Sequence, residues 1–330
     1  MSRPPRAALR RMIALAALMV WSLVPWAAQA QSPYPSKSIK FIVPYAPGGL
    51  PDTVARIVAQ GLQDRLGQPI VVDNRPGANG SVAASVLATS PTDGYTFLVT
   101  DGSMLSINRF LQANLGYDPD KDFVPVALLA RAPLFLALHP KVPVGTMKEF
   151  IDYAKARPGQ INYGSSGIGS THHLSMEAIK SSLGLELTHV PYRGTGQSVP
   201  ALIGGQVDVL FSAYPSLASF VKENRVKLIA TNGARRSPQA PDVPAIAEFI
   251  PGYDFAPIVG ILARTGTPTA AIEKIAAEAV AVVKQPDTVQ RLAAVGIEAV
   301  GGGPEEYGRA IKGENERVAK VVQAAGIKPE

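Results

Sequence analysis

Short apolar runs typical of β-strands alternate along this chain with longer amphipathic segments typical of α-helices. In the first such segment the apolar residues recur at helical spacing, and Gly67 follows as a stop signal. The elements predicted in this part of the chain are 39–43, 52–66, 70–72, 81–89 and 96–100. Their order, βαβαβ, predicts an α/β fold that begins with a parallel sheet.

A long apolar run at residues 124–138, broken only by Arg131 and Pro133, separates this series from a second one. We interpret the run as a crossing between two domains, and a second apolar run at 255–263 as the return crossing. The elements predicted between them are 147–156, 161–163, a helix after Ser170, 187–190, a helix near Val199, 207–211 and 226–231.

Helices predicted at 268–284, 287–294 and 304–325 complete the first domain after the return. The first domain is therefore expected to comprise residues 31–131 and 255–330, and the second domain residues 132–254. Two crossings between two domains indicate a hinge.

The first thirty residues have the organisation of a secretory signal peptide. Arginines at positions 3, 6, 10 and 11 precede the apolar run 12–24, and Ala28-Gln29-Ala30 is a small-residue cleavage site. No later run reaches the roughly 18 unbroken apolar residues of a membrane span. We expect export to the periplasm with cleavage near Ala30.

Charge and cysteine content exclude several classes of protein. The formal net charge is +6, and it falls to +2 without the four leader arginines. No basic run remains, which argues against a nucleic-acid-binding protein. The chain has no cysteine, so disulfides and thiolate metal sites are excluded. Because no zinc or calcium spacing occurs either, no metal or cofactor is expected.

Two glycine-rich stretches resemble each other, FIVPYAPGGLPDTVAR from Phe41 and INYGSSGIGSTHHLSM from Ile161. Each leads from a predicted strand through glycines into a predicted helix. Unpaired backbone N–H groups gather at such a helix N-terminus, which attracts anions. If the two loops lie across a cleft from each other, they hold the two ends of a small carboxylate.

The chain resembles the Bug-type extracytoplasmic solute receptors, the substrate-binding subunits of tripartite tricarboxylate transporters. The resemblance covers essentially the whole mature chain. Its markers occur in the family's order and are YPSKSIKFIVPYAPGG at Tyr34, VDNRPGANGSVAA at Val72, DGYTFLV at Asp93, YGSSGIGSTHHL at Tyr163, HVPYRGTG at His189, LIGGQVDVLF at Leu202, ARRSPQAPDVPAIAE at Ala234 and GILARTGTP at Gly260.

The resemblance implies a two-lobed type II periplasmic binding protein fold with two crossover strands as hinge. It also implies a monomeric receptor, not an enzyme, that captures a small di- or tricarboxylate, aliphatic or aromatic, by lobe closure. Delivery would be to one large and one small membrane subunit. A receptor that presents its ligand to a membrane sensor remains an alternative.

Carried onto this sequence, the family's ligand residues fall in both lobes. The first lobe offers Tyr45, Ala46, Pro47, Gly48 and Gly49, with Leu50, Asp101 and Ser103 as further candidate ligand residues. The second lobe offers Ser165, Gly169, Ser170, Thr171 and His172, with Tyr192, Arg193, Gly194 and Thr195 nearby and with Asp208 and Tyr214 as further candidates.

Two positions depart from the family pattern. Leu50, before Pro51, replaces a small or hydroxyl residue, which favours a ligand with a hydrocarbon or aromatic body, unless Pro51 merely starts the helix. Asp101 replaces a neutral residue. It pairs with an ammonium group, excludes a carboxylate, or caps a helix after Ser103, and we favour the cap.

Other polar residues have two interpretations each. Asp52 in the first helical turn is expected to complement the helix dipole rather than to touch ligand. His172 and His173 diverge by about 100° on a helix and cannot chelate one metal, although one of them can donate a hydrogen bond to ligand. Arg193 is either a direct partner of a carboxylate or an exposed loop residue.

An enzyme is the remaining alternative, because GSSGIGS at Gly164 resembles the phosphate loop of nicotinamide-dependent short-chain dehydrogenases. A helix precedes this loop, however, whereas that phosphate loop follows the first strand of its domain. The pair Tyr153 and Lys155 also lacks the catalytic spacing. No G-x-S-x-G elbow of a serine hydrolase is present, so we expect no catalysis.

Overall fold

The computed structural model describes residues 34–112 and 114–326, so the predicted signal peptide lies outside the described residues. By its internal contacts the chain divides into Met1–Ser36 and Lys37–Glu330. The strands of the second unit are β1 (Ile39–Val43), β2 (Ile70–Asn74), β3 (Thr96–Thr100), β4 (Phe123–Arg131), β5 (Leu134–Leu138), β6 (Asn162–Ser165), β7 (Thr188–Pro191), β8 (Val209–Ala213), β9 (Lys227–Thr231), β10 (Ile258–Arg264) and β11 (Glu298–Gly302).

The helices cover most of the predicted positions. They are α1 (Leu50–Leu66), α2 (Ser81–Thr89), α3 (Ser103–Ser106), α4 (Asn108–Leu111), α5 (Met147–Lys155), α6 (Thr171–Leu183), α7 (Thr195–Ile203), α8 (Tyr214–Lys222), α9 (Thr269–Val283), α10 (Pro286–Ala294) and α11 (Pro304–Ala325). Within the described residues, none of them is both long and apolar enough to cross a bilayer.

The first sheet is mixed, in the order β11-β4-β10-β3-β1-β2. Strand β1 pairs in parallel with β2 and β3, as the βαβαβ pattern predicts. Strand β10 is antiparallel to β3 and β4, and β11 is antiparallel to β4. The parallel start predicted from the sequence is therefore confirmed, and the antiparallel strands β4, β10 and β11 complete the sheet.

The second sheet has the order β7-β6-β8-β5-β9. Strand β6 is parallel to β7 and β8, and β5 is antiparallel to β8 and β9. The apolar run 124–138 supplies β4 to the first sheet and β5 to the second. The predicted crossing is therefore confined to Ala132 and Pro133 between these strands.

Both connections between the sheets run side by side. The N–H of Ala132 donates to the carbonyl of Pro257 (2.9 Å), and Arg131 forms an ion pair with Asp254. Asn232 accepts a hydrogen bond from the N–H of Leu134 (2.8 Å) at the first connection. Its amide donates to the carbonyl of Phe255 (2.8 Å) at the second. These bonds join the two predicted hinge segments.

Helix α11 contacts both halves of the structure. In its first turn the ring of Tyr307 lies against Gly260 of β10, where a Cβ would be 2.4 Å from the ring carbon Cζ. In its last turns Val318, Val321 and Val322 join the core that covers the second sheet, together with Leu174 of α6. The helix therefore packs against the first sheet and against α6 of the second half, whereas the sequence assigned it to the first domain alone.

Candidate functional site

The two glycine-rich loops lie at equivalent places in the two sheets. The first connects β1 to α1 and the second connects β6 to α6, so each follows the carboxyl end of a parallel strand. Ligand sites of open α/β sheets lie at these ends. The sequence prediction of two strand-loop-helix units is confirmed.

Asp52 organises the first loop from within. Its side chain is 3% exposed and accepts hydrogen bonds from the N–H of Gly48 (2.9 Å), from Asn74 (2.9 Å) and from Arg56 (3.0 Å). Desolvation raises the pKa of this carboxyl, but these hydrogen bonds outweigh it and hold the pKa below its usual range. The N–H of Gly48 therefore donates to Asp52. Asp52 holds the loop and the start of α1 together, which is the structural role expected from the sequence.

Tyr45 ties the same loop to the end of β3. Its hydroxyl donates to Asp101 (3.1 Å), and the N–H of Ser103 donates to the same carboxylate oxygen (3.2 Å). The bond from Ser103 brings Asp101 to the first N–H of α3, but the N-cap residue of this helix is Gly102 and the helix has no side-chain cap, so Asp101 is not its N-cap residue as favoured from the sequence. The bond from Tyr45 is a contact that the sequence does not predict. Burial raises the pKa of Asp101, and burial with the nearby Asp101 charge raises that of Tyr45.

The second loop is held by its own side chains. Ser170 caps α6 by accepting from the N–H of His173 (3.3 Å) and donates to the carbonyl of Gly167 (2.7 Å). The hydroxyl of Ser166 lies 2.8 Å from Nδ1 of His172, whose pKa is lowered to about 4 by burial. His172 is therefore neutral near pH 7, and its ring is within hydrogen-bond distance of Ser166 in the second loop.

Two further histidines support this loop from below. The N–H of Gly169 donates to Nδ1 of His173 (3.0 Å), and Nε2 of His189 lies 2.7 Å from the hydroxyl of Ser165. The two imidazole rings are stacked with centroids 4.1 Å apart, and Tyr163 stacks on His189 at 4.7 Å. Burial lowers the pKa of His189 to about 4. Both rings are consequently neutral near pH 7.

A short helix of the first half connects the two loops. Leu111 of α4 lies against Gly169, where a Cβ would be 2.2 Å from its Cδ1. On the same helix, buried Asn108 donates to the carbonyl of Asn79 (3.0 Å). The glycine after Asn79 lies against Pro44, at the start of the first loop. The two loops are thus joined through one chain of contacts.

The remaining predicted residues do not all share this location. Tyr192 joins the second loop, since its N–H donates to the carbonyl of Ser165 (3.1 Å), and it precedes exposed Arg193. Thr195 begins α7, which has no side-chain cap, and Tyr214 begins α8 at the carboxyl end of β8.

Asp208 lies at the opposite, amino-terminal end of β8. There it pairs with Lys141 (2.9 Å) and accepts from the N–H of Asn162 (2.7 Å). It also lines a separate cavity of about 250 Å³ with Tyr153 and Arg157. Because parallel strands β6 and β8 both end at the loop edge of the sheet, the structure does not bring Asp208 together with the loops.

Several residues of the site are absent from the sequence prediction. Asn74 bridges Asp52 and the carbonyl of Tyr45, and Glu314 reaches the β3–α3 turn from α11. Ile168 is the exposed tip of the second loop, with 57% of its surface accessible. Of these residues, only Ile168 could be placed in the loop from the sequence, because glycines flank it. Asn74 and Glu314 reach the site through contacts between residues distant in sequence, which no local pattern predicts. Among residues 34–112 and 114–326, no group of three His, Asp or Glu side chains is placed to hold a metal.

The two sheets with their paired loops define a two-lobed α/β solute-binding protein. A sequence profile of the tripartite tricarboxylate transporter family receptors matches residues 54–327. The chain belongs to this family, which consists of periplasmic solute-binding receptors and not of enzymes. The resemblance read from the sequence motifs is confirmed.

Individual relatives cover nearly the whole chain. BugT from Bordetella pertussis is 33% identical over 297 residues, spanning 89% of this chain and 91% of BugT. A protein from R. palustris solved with adipate is 35% identical with a TM-score of 0.77, covering 90% of this chain and all of that one. MatC from Rhodopseudomonas palustris, solved with bound malate, is 32% identical with a TM-score of 0.71, covering 88% of this chain and all of MatC.

Proposed function

We propose that this chain is a periplasmic receptor that captures a small carboxylate between its lobes and delivers it to membrane subunits of a tripartite transporter. The observation that carries the proposal is the pair of glycine loops, each opening a helix at the carboxyl end of a parallel strand. The adipate and malate in two related structures support the ligand class.

The first lobe in this proposal is residues 31–131 with 255–330, and the second is 132–254. Strands β4 and β5 belong to different sheets and meet at Ala132 and Pro133, which supports these boundaries. Closure bends the two adjacent connections, as in hinge motions generally. The N-terminal thirty residues act as the export signal in this scheme.

Backbone N–H groups supply most of the grip on the carboxylate. Ser170 caps α6, so the second lobe uses the neighbouring α7, whose first turn, like that of α1, lacks a side-chain cap. Such uncapped first turns offer N–H groups to an anion or to bridging water. Asp52 already occupies the N–H of Gly48, and its charge favours a water-bridged over a direct contact at this helix end. Arg193, in the segment between β7 and α7, offers an exposed guanidinium on the second lobe.

A thermal-shift screen tests the ligand class. Adipate, malate, citrate and benzoate are compared with a nicotinamide nucleotide on the mature protein. An acid at 100 times its Kd adds about 2.7 kcal/mol to the free energy of unfolding. A shift with the nucleotide and with none of the acids would refute the proposal and favour the dehydrogenase alternative.

Uptake of the best acid by a deletion strain tests the delivery step. Complementation with the wild-type chain should restore uptake, and a variant that cannot bind the acid should not. Normal uptake in the deletion strain would show that transport does not need this chain. It would favour the alternative in which the chain presents its ligand to a membrane sensor.

A further inference from the structure

Two carboxyl groups lie together behind the first glycine loop. Glu314 of α11 accepts a hydrogen bond from the buried hydroxyl of Ser106 (3.0 Å). Its other oxygen lies so close to Gly102 that a Cβ there would be 2.9 Å away. Gly102 follows Asp101, which accepts the hydroxyl of Tyr45 from the loop. A continuous path therefore runs from the ligand loop to Glu314.

The surroundings of Glu314 contain more negative than positive groups. Asp101 at the end of β3 and Asp254 before β10 both disfavour its ionised form, whereas the hydrogen bond from Ser106 and the charge of Arg317 on its own helix favour it. Asp254 is itself paired with Arg131 of β4. In the described part of the chain, no Lys or Arg forms an ion pair with Glu314. Burial above all, together with the charges of Asp101 and Asp254, raises the pKa of Glu314 to about 8.

Burial raises the pKa of both carboxyls, but their hydrogen bonds favour a proton on Glu314 rather than on Asp101. Asp101 receives hydrogen bonds from the hydroxyl of Tyr45 and the N–H of Ser103, which favour its ionised form. Among the described residues, Glu314 receives a hydrogen bond from Ser106 alone. The phenols of Tyr45 and Tyr307 also approach the pair, and both stay neutral because their pKa values are raised by burial.

We propose that Glu314 is a positioning residue of the carboxylate site, and that tight binding requires its protonated form. The inference rests on the proposed function, because it concerns the anion held by the first loop. An ionised Glu314 adds a second negative charge behind Tyr45, where limited solvent screening makes like-charge repulsion stronger than in water. The neutral acid removes that repulsion and keeps its contact with Ser106. Ligand and proton therefore bind together.

The pH dependence of affinity follows from this linkage. Below pH 8 the proton is already present, and affinity for a fully ionised acid is constant. Above pH 8 the proton must be taken up on binding, and the affinity falls by up to about tenfold per pH unit for one linked proton.

Isothermal titration calorimetry of the mature protein tests the proposal with the best binder among adipate, malate, citrate and benzoate. Titrations from pH 7 to pH 9.5 give the affinity profile. Titrations at pH 8.5 in phosphate and in Tris give the number of protons taken up. Glu314→Gln should bind with the neutral-pH affinity of the wild type throughout and take up no proton. Glu316→Gln, an exposed neighbour on the same helix, should keep the wild-type profile.

A second variant covers the case in which Glu314→Gln does not fold. Ser106→Ala removes a hydrogen bond that lowers the pKa of Glu314, so the decline in affinity should begin at a higher pH. A wild-type profile in Glu314→Gln, or an unshifted one in Ser106→Ala, overturns the inference while the proposed function stands. Binding of none of the four acids at any pH refutes both.

Discussion

Leu111 lies over the face of Gly169 where any other residue would carry its Cβ. The glycine also has a positive φ of 71°, and its N–H is bonded to His173. Leu111 belongs to the first half of the chain and Gly169 to the ligand loop of the second half. The close approach therefore fixes how near the second loop can come to the first lobe, and only glycine permits it.

Gly169→Ala should lower the free energy of unfolding more than Gly184→Ala. Both glycines have a positive φ, of 71° and 65°, so both substitutions incur the left-handed strain of about 1–2 kcal/mol. Only Gly169 also meets Leu111, because a Cβ at Gly184 has open space. Urea unfolding of both variants measures the difference.

The double variant Gly169→Ala with Leu111→Ala provides the control for this contact. It should cost less than the sum of its single changes, since the smaller side chain makes room for the new methyl group. Additive costs would mean that Leu111 does not limit the loop.

Asp52→Ala should destabilise the protein by about 2–3 kcal/mol, because a buried carboxylate is lost and its donors Arg56 and Asn74 lose their partner. Asp64→Ala, exposed on the same helix, should stay within about 0.5 kcal/mol of the wild type. Chemical denaturation at pH 7 gives both values.

The pH dependence of the Asp52 deficit checks its electrostatic origin. The pKa of Asp52 is lowered on folding, so its contribution is complete above the unfolded value of about 3.9 and is lost as pH falls through the folded value. The difference between wild type and Asp52→Ala should therefore shrink below pH 4. If Asp52→Ala loses the same free energy of unfolding at pH 3 and at pH 7, the loss comes from packing and not from the charge of Asp52.

His189→Phe should make the protein less sensitive to acid. The pKa of His189 is lowered to about 4 on folding, whereas an unfolded histidine titrates near 6.5. Between these values the unfolded state binds more protons, so stability falls as pH drops from 6.5 through 4. Phenylalanine keeps a ring in the stack with Tyr163 and His173 but does not titrate.

Melting temperatures between pH 7 and pH 4 test this expectation. The variant should show a shallower decline than the wild type, although His172 and His173 still contribute through their own lowered pKa values. An equally steep decline would mean that His189 is not a source of acid sensitivity.

Element boundaries were predictable where the chain carries local stop signals. Helix α2, strand β3 and helix α11 occupy their predicted ranges, and α1 begins at Leu50, two residues early, because Pro51 fits the first turn. Strands β4 and β5 were predicted only as one apolar run, because strands buried on both faces lack alternation. Strand β11 (Glu298–Gly302) was missed because three of the four residues after Glu298 are alanine or glycine, which give little β signal.

The site was predictable as far as its backbone loops. Glycine-rich strand-to-helix turns are local in sequence, so both loops were found. The contacts that fix them join residues far apart, such as Tyr45 with Asp101 and Ser106 with Glu314. Asp208 shows the converse error: it was carried over from the family resemblance within a strand predicted at 207–211, and the structure places it just before β8, at the far edge of the sheet.

Ile168→Ser should weaken the binding of adipate more than that of malate. The side chain of Ile168 is 57% exposed at the tip of the second loop, and half-buried Leu50 opens the helix that follows the first. In the proposed function, a long hydrocarbon body covers such an apolar side chain, and each buried methylene contributes about 0.8 kcal/mol. A loss of one or two such contacts corresponds to roughly four- to fifteen-fold in Kd for adipate. Val289→Ser, exposed on α10, is the matched control and should leave the affinities for adipate and malate unchanged. Equal losses for adipate and malate in Ile168→Ser would mean that the substitution moves the loop itself.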